Sequence, residues 1–265
     1  MTQTIGARGF VSLATDGDVG VVTLERPDAL NAISGAVADD LRDAFRAVGS
    51  RPDIRVMVLR GAGDKAFCVG ADLKERSAFT LDDFHSNRRQ MRGMFSALRD
   101  VPQPTIASVF GFALGGGFEL ALSCDVVVAA EGTQLGLPEA RVGLLPAGGG
   151  TQLLPRKVGE ARAKELVFTG RRFSAEEAHG MGLVARVVPR SELDAAAMEL
   201  ARDVCRSSPV AVREAKRAIE AALGSSIDDG LELENEAWAR VVATEDRAEG
   251  IAAFNDKREP RWQNR

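Results

Sequence analysis

There is no tyrosine in these 265 residues, and histidine occurs only twice, at positions 85 and 179. Both scarcities narrow the chemistry before any motif is read. A phenol can be neither the acid nor the base of a reaction here. A metal site of two histidines and one carboxylate would use up both imidazoles. His85 falls in a polar helical stretch and His179 beside a glycine turn, and no G-x-S-x-G is present, so a Ser-His-acid triad has poor material. Carboxylates, 38 in all, are the plentiful proton carriers. Cys68, Cys124 and Cys205 lie far apart and form no CxxC pair, which argues against a zinc site, a metal of any kind, or a disulfide framework. Basic charge is also in deficit: 34 Lys and Arg against 38 acids leave a net charge of −4, the wrong sign for a nucleic-acid surface. The longest mostly apolar stretch, residues 106–130, is interrupted by Glu119, Asp125 and a glycine triplet and reads as buried core, so no membrane association is expected. MTQTIGARGF, at the start, has no basic segment followed by an apolar one; no secretory leader is read, and a cytoplasmic location is expected.

What is present is an ordinary globular composition, 45% hydrophobic and 27% charged, enough for one sizeable core. FVSLAT and GVVTLER read as two strands joined by a turn. IRVMVLRG reads as a buried strand, FCVG as a shorter one, TIASVFGFALGGG as a strand entering a glycine loop, and DVVVAA and VARVVP as two more. Between them lie helical patterns. Ser34 caps one with Leu41, Phe45 and Val48 on one face, and Thr80 opens another with Met91, Met94, Phe95 and Leu98 inward, ended by Pro102 and Pro104. FELALSC predicts a short helix. From Ser191 onward the pattern is helix after helix, broken near Pro209, Gly224 and Thr244, with apolar stripes that need a partner surface. Strands alternating with helices predict an α/β class with largely parallel pairing. GAGDKA, residues 61–66, has the spacing of a dinucleotide loop, but a strand pattern follows it where that loop requires a helix.

Two glycine loops and two glutamates concentrate the chemistry. FCVGADLKER (67–76) and GFALGGGFEL (111–120) each pass from an apolar run through glycine into a helical pattern, leaving free amides at a helix start. Glu119 falls in the first turn of an otherwise apolar helix, and Glu139 follows Pro138 between LGL and VGLL. Taken singly, each loop is an ordinary tight turn, Glu119 a helix-start charge and Glu139 a solvated loop carboxylate. Their combination is what points to a site.

In order and spacing, LERPDALNAIS, FCVGADLKER, GFALGGGFELALSCD, LGLPEARVGLLPAGGGTQLLPRKVG and AKELVFTGRRFSAEEAHGMGLV resemble the crotonase, or enoyl-CoA hydratase/isomerase, family, and EGIAAFNDKREP resembles its C-terminal helix. The resemblance implies a spiral of ββα units over residues 1–195 and a helical trimerisation region over 196–265, assembled as a trimer or a dimer of trimers. It implies an acyl-CoA thioester as substrate, with coenzyme A entering only as part of it and no separate cofactor. The amides of Ala71 and Gly116 would form the oxyanion hole. Both catalytic glutamates of the family's hydratases have counterparts, Glu119 and Glu139, whereas its isomerases typically keep only one acid of the pair. The implied reaction is syn addition of water to a trans-2-enoyl-CoA, with Glu119 as main activator of water and Glu139 as partner of the α-carbon proton. Δ3,Δ2-isomerisation is the rival. Each amide donor is worth about 3 kcal/mol in such a transition state. The same resemblance places CoA against Arg26, Ala29, Leu30, Ala71, Asp72, Leu73, Lys74, Gly115 and Gly116, with Arg26 and Lys74 as phosphate partners and Phe254 and Lys257 reaching a CoA site, often a neighbouring subunit's. It implies an acyl pocket lined from the helix over 80–100 and from near Leu144. LKER and TEDRAEG also resemble the branch of methylglutaconyl-CoA hydratases that includes RNA binders. The helix matching the RNA-binding one, SGAVADDLRDAFRAVGS, has no lysine and several aspartates, so no nucleic-acid partner is expected.

Overall fold

The computed structural model describes residues 2–5 and 9–265, with side chains from residue 9 onward. Residues 1 and 6–8 of the stretch read for a leader lie outside the described residues.

The chain opens with β1 (Thr2–Ile5), β2 (Val11–Asp16), β3 (Val19–Leu24), α1 (Gly35–Gly49) and β4 (Val56–Gly61). A one-turn helix, α2 (Leu73–Arg76), precedes the long α3 (Leu81–Arg99). Then come β5 (Thr105–Val109), β6 (Phe112–Leu114), α4 (Gly116–Ser123), β7 (Val126–Ala130) and β8 (Gln134–Gly136). A 3-10 turn, Pro138–Val142, leads to α5 (Gly150–Val158), α6 (Glu160–Thr169), β9 (Phe173–Ser174), α7 (Ala175–Gly180) and β10 (Arg186–Val188). Four helices close the chain: α8 (Leu193–Cys205), α9 (Pro209–Ala222), α10 (Ile227–Val242) and α11 (Glu245–Asp256).

Seven strands form one sheet in the order β1-β2-β3-β4-β5-β7-β10, antiparallel across β1, β2 and β3 and parallel from β3 to β10. β3, β4, β5 and β7 are buried on both faces, as helices on each side require, while β10 at the edge is half-buried. In β4 the alternation divides the strand: Met57 and Leu59 join α1, α3 and α4 in the main core, while Val56 and Val58 join Leu193, Ala197 and Ala201 of α8 on the opposite face. α8 runs across position 195 as one helix packed on this sheet.

The helix-start signals hold. The Ser34 hydroxyl accepts from Val37 N, and Thr80 and Asp83 form a reciprocal capping box, satisfying amides that have no partner inside their helices. Met91, Met94, Phe95 and Leu98 are all buried. Two strand expectations need correction. FCVG makes only an isolated bridge, Cys68 to Ala113, because it turns at once into α2. The run over 105–114 is two strands, since Gly111 takes φ +60° and sends β6 into a second, three-stranded sheet with β8 and β9.

α9 and α10 pack on each other as a hairpin that exposes Ile219, Leu223, Ile227, Leu231 and Trp238, the last at 63%. Phe254 on α11 is 84% exposed. An apolar row of this extent on one face is unusual for a lone chain.

Candidate active site

The β6–α4 junction and the loop ahead of α2 lie side by side. Gly70, at φ +89°, permits the contact: a Cβ there would fall 2.8 Å from Leu114 O and 2.9 Å from Gly116 N. A Cβ built on Gly116 would lie 3.7 Å from Ala71 N. Gly116 is the first residue of α4, so its amide is among those with no intrahelical acceptor. Among the described residues neither the Ala71 nor the Gly116 amide donates to a protein group. Two uncommitted amides therefore sit next to each other at the mouth of α4.

Both glutamates reach the same cleft, of about 830 Å³. Ala71, Gly115 and Gly116 line it beside Glu119 and Glu139. Glu119 is 3% exposed. Its Oε1 accepts from Gly148 N at 2.7 Å and Gly150 N at 2.8 Å, where the chain turns into α5. Burial raises its pKa, and these amides oppose the rise. Glu139, in the 3-10 turn, is held differently. Its Oε2 is buried with no protein partner among the described residues. Burial pushes its pKa up to about 7, and the charge of Glu119 adds to the rise. Gly115 makes room for it: at φ +52°, a Cβ there would stand 2.8 Å from Glu139 Oε1. A Cβ on Gly116 would meet protein atoms only at 3.6 Å and beyond, so the strict steric demand inside the protein falls on Gly115.

Phe84, Asn87, Arg88, Met91 and Phe95 of α3 form one wall, and Leu144 and Leu145 face into the same space, as the acyl-pocket expectation has it. Leu73 lines the cleft as well. Of the other expected CoA contacts, Arg26, Ala29, Leu30, Asp72 and Lys74 adjoin the loop that carries Ala71. The Pro27–Ala29 turn and Leu30, at φ +52°, abut the Ala71 loop through Val69 N donating to Leu30 O at 3.2 Å. Asp72 caps α2 through the Lys74 and Glu75 amides, and Lys74 is exposed. Arg26 is partly committed: its Nη1 donates to Asp72 Oδ2 at 2.7 Å and to Ala32 O at 3.1 Å, an ion pair that fixes the loop. Phe254 and Lys257 lie on and after α11, exposed and away from this cleft.

Sequence reasoning passed over two features. The Gly148 and Gly150 amides that hold Glu119 come from PAGGGT, where a glycine run ahead of a helix was the available signal. Arg76 and Asn87 meet in the cleft wall, where Arg76 Nη2 donates to Asn87 Oδ1 at 3.0 Å. Nothing in the spacing of α2 and α3 announces that contact. Among the described residues no cluster of His, Cys, Asp and Glu could hold a metal ion, and no helix is long and apolar enough to cross a membrane.

The profile of the enoyl-CoA hydratase/isomerase family matches residues 14–265. Human enoyl-CoA hydratase domain-containing protein 2, mitochondrial, is 41% identical over 251 residues, covering 93% of this chain and 86% of that protein. An enoyl-CoA isomerase/hydratase of Zymoseptoria tritici is 40% identical over 264 residues, covering 94% of this chain and 85% of the relative. Among solved structures, an enoyl-CoA hydratase from Bacillus anthracis superposes with a TM-score of 0.95 at 40% identity, over 97% of this chain and all of the other. The expected crotonase architecture, an α/β core with a helical C-terminal region, is the one found.

Proposed function

The chain belongs to the enoyl-CoA hydratase/isomerase family, and from that premise we propose that it adds water to a trans-2-enoyl-CoA, giving a 3-hydroxyacyl-CoA. One observation carries the reading: two glutamates with different surroundings share a cleft with two adjacent uncommitted amides.

The thioester carbonyl accepts from the Ala71 and Gly116 amides. As water attacks the β-carbon, electron density moves onto that oxygen, and the donors stabilise the enolate more than the neutral carbonyl. Glu119, anchored through Oε1, takes the proton of the attacking water. Glu139, protonated near neutrality, delivers a proton to the α-carbon on the same face. The proton count closes when Glu119 returns its proton to Glu139 through solvent. Unequal surroundings suit two carboxyls to acid and base roles at one pH.

For CoA, the proposed contacts are Ala29, Leu30 and residues 71–74, with Lys74 and the free nitrogens of Arg26 as phosphate partners. Phe254 and Lys257 serve a neighbouring subunit's site in a homotrimer or dimer of trimers. The exposed apolar row on α9 and α10 supports such an assembly.

The test is loss of the enoyl absorbance when the protein meets crotonyl-CoA. Migration of a 3-enoyl double bond with no hydration would replace this reading by the isomerase one.

A further inference from the structure

Several arginines face the cleft, and most are committed elsewhere. Arg141 Nε donates to Thr169 O, and Arg171 is paired with both Glu165 and Glu177. Arg172 lies over the Phe112 ring at 5.3 Å. Arg88 is exposed, so solvent weakens its charge, although Glu119 and Arg76 both feel it. Arg76 differs. It is half-buried, and its Nε is enclosed with no acceptor. Among the described residues it has no carboxylate within ion-pairing distance. Its neighbour Glu75 makes no ion pair with it and accepts from Gly35 N at 3.0 Å, though its charge still reaches the guanidinium. The guanidinium is nonetheless fixed, because Asn87, 4% exposed on α3, accepts from its Nη2.

A half-buried cation without a counter-ion is costly unless an opposite charge balances it nearby. Beside this half-buried guanidinium, which has no ion pair among the described residues, the cleft offers two carboxyls. Both ionised would leave a surplus negative charge, and both neutral would leave Arg76 uncompensated. One proton shared between them balances it. We infer that Arg76, anchored by Asn87, is a positioning residue whose charge holds the Glu119/Glu139 pair in its singly protonated, working state. The inference rests on the hydratase reading.

The charged groups facing Glu139 are Glu119 on α4, Arg76 on α2, Arg88 on α3, Arg141 in its own turn, and Arg171 and Arg172 ahead of β9. Among the causes that move Glu139, burial and Glu119 push its pKa up and Arg76 pulls it down. Reciprocally, burial lowers the Arg76 pKa, and Glu75, then Glu139 and last Glu119 oppose that, while the Arg88 charge adds to the lowering.

The experiment compares pH profiles of kcat/KM for crotonyl-CoA in the wild type, Arg76→Met and Arg76→Lys. Loss of the charge should move both limbs to higher pH by about one unit, the size expected for one cation at partly screened range. Arg76→Lys should keep the wild-type position, and Asn87→Ala, which frees the guanidinium without removing it, should shift the profile less. Arg76→Gln substitutes if the Met variant does not fold. A second readout needs no turnover: the carboxyl infrared band, as a difference against each protein's Glu139→Gln derivative, should titrate at higher pH in Arg76→Met. If the wild type fails to hydrate crotonyl-CoA, the functional reading falls while this titration still decides the role of Arg76. Coincident titrations in wild type and Arg76→Met overturn the inference. So does an unchanged crotonyl-CoA profile with turnover lost only on an enoyl thioester bearing a second carboxylate, which would make Arg76 a reader of a substrate anion.

Discussion

Glu119 and Glu139 face one cleft but are held in opposite ways: two amides grip one oxygen of Glu119, whereas Oε2 of Glu139 is buried with no protein partner among the described residues. A gripped carboxylate has fixed geometry and a stabilised charge. An ungripped, buried one favours its proton. That asymmetry underlies the division of labour and most of what can be measured.

Glu119→Gln and Glu139→Gln should each lower kcat on crotonyl-CoA by roughly 10²- to 10⁴-fold, with an unchanged circular dichroism spectrum. The double variant should be little worse than the poorer single one, since the two act as a unit. Near-normal turnover in either single variant defeats the mechanism.

The pH dependence follows from the shared proton. Activity should fall at low pH, where both carboxyls are neutral, and at high pH, where the shared proton is lost near the Glu139 value of about 7. Hydration and the reverse dehydration should share one bell in kcat/KM, because each uses the pair carrying one proton in total, on Glu139 for hydration and on Glu119 for dehydration. A profile with no alkaline limb would rule out the shared proton.

Stability should register the same group. Glu139 holds its proton more tightly in the folded chain, about 7 against an ordinary 4.5. Between those values the unfolded chain has already ionised, so stability falls as pH rises through the window. Removing the ionisable group lifts that penalty: Glu139→Gln should raise Tm relative to wild type more at pH 8 than at pH 5. An equal difference at both pH values contradicts the raised pKa.

Gly115→Ala should lower kcat on the order of 10²-fold, with KM changed far less, because displacing one catalytic group by a fraction of a bond length is enough. The new methyl group would stand 2.8 Å from Glu139 Oε1. A variant as active as wild type would mean that the turn carrying Glu139 yields at little cost.

Two helix substitutions test folding alone. Thr80→Ala removes the hydroxyl half of the α3 capping box, leaving the backbone amide of residue 80 on Asp83, and should cost about 1 kcal/mol in urea unfolding. Gly230→Ala, in the interior of α10 with only an ordinary contact to Ala222 at 3.6 Å, should add up to about 1 kcal/mol. Opposite signs would show that tertiary contacts, not helix ends and propensity, set these terms.

The sequence displays the site better than it displays the path of the chain. Ser34 and Thr80 announce helix starts because their hydroxyls do a local job, and the period of Leu41, Phe45 and Val48 follows from one buried face. β8 and β9 went unread because three and two residues are too few to show a period, and their pairing is decided by Gly111 redirecting the preceding strand. Glu119, Glu139, Ala71 and Gly116 stand in motifs whose order is informative. Arg76 and Asn87 do not, because their contact joins two helices through side chains alone.

The α9–α10 hairpin carries a practical consequence. The chain has two tryptophans. Trp262 is tethered through its indole N–H to Arg206 O, while Trp238 stands on the exposed apolar row. Its fluorescence is thus a native gauge of self-association: emission that reddens on dilution reports that row becoming wet, with no label attached.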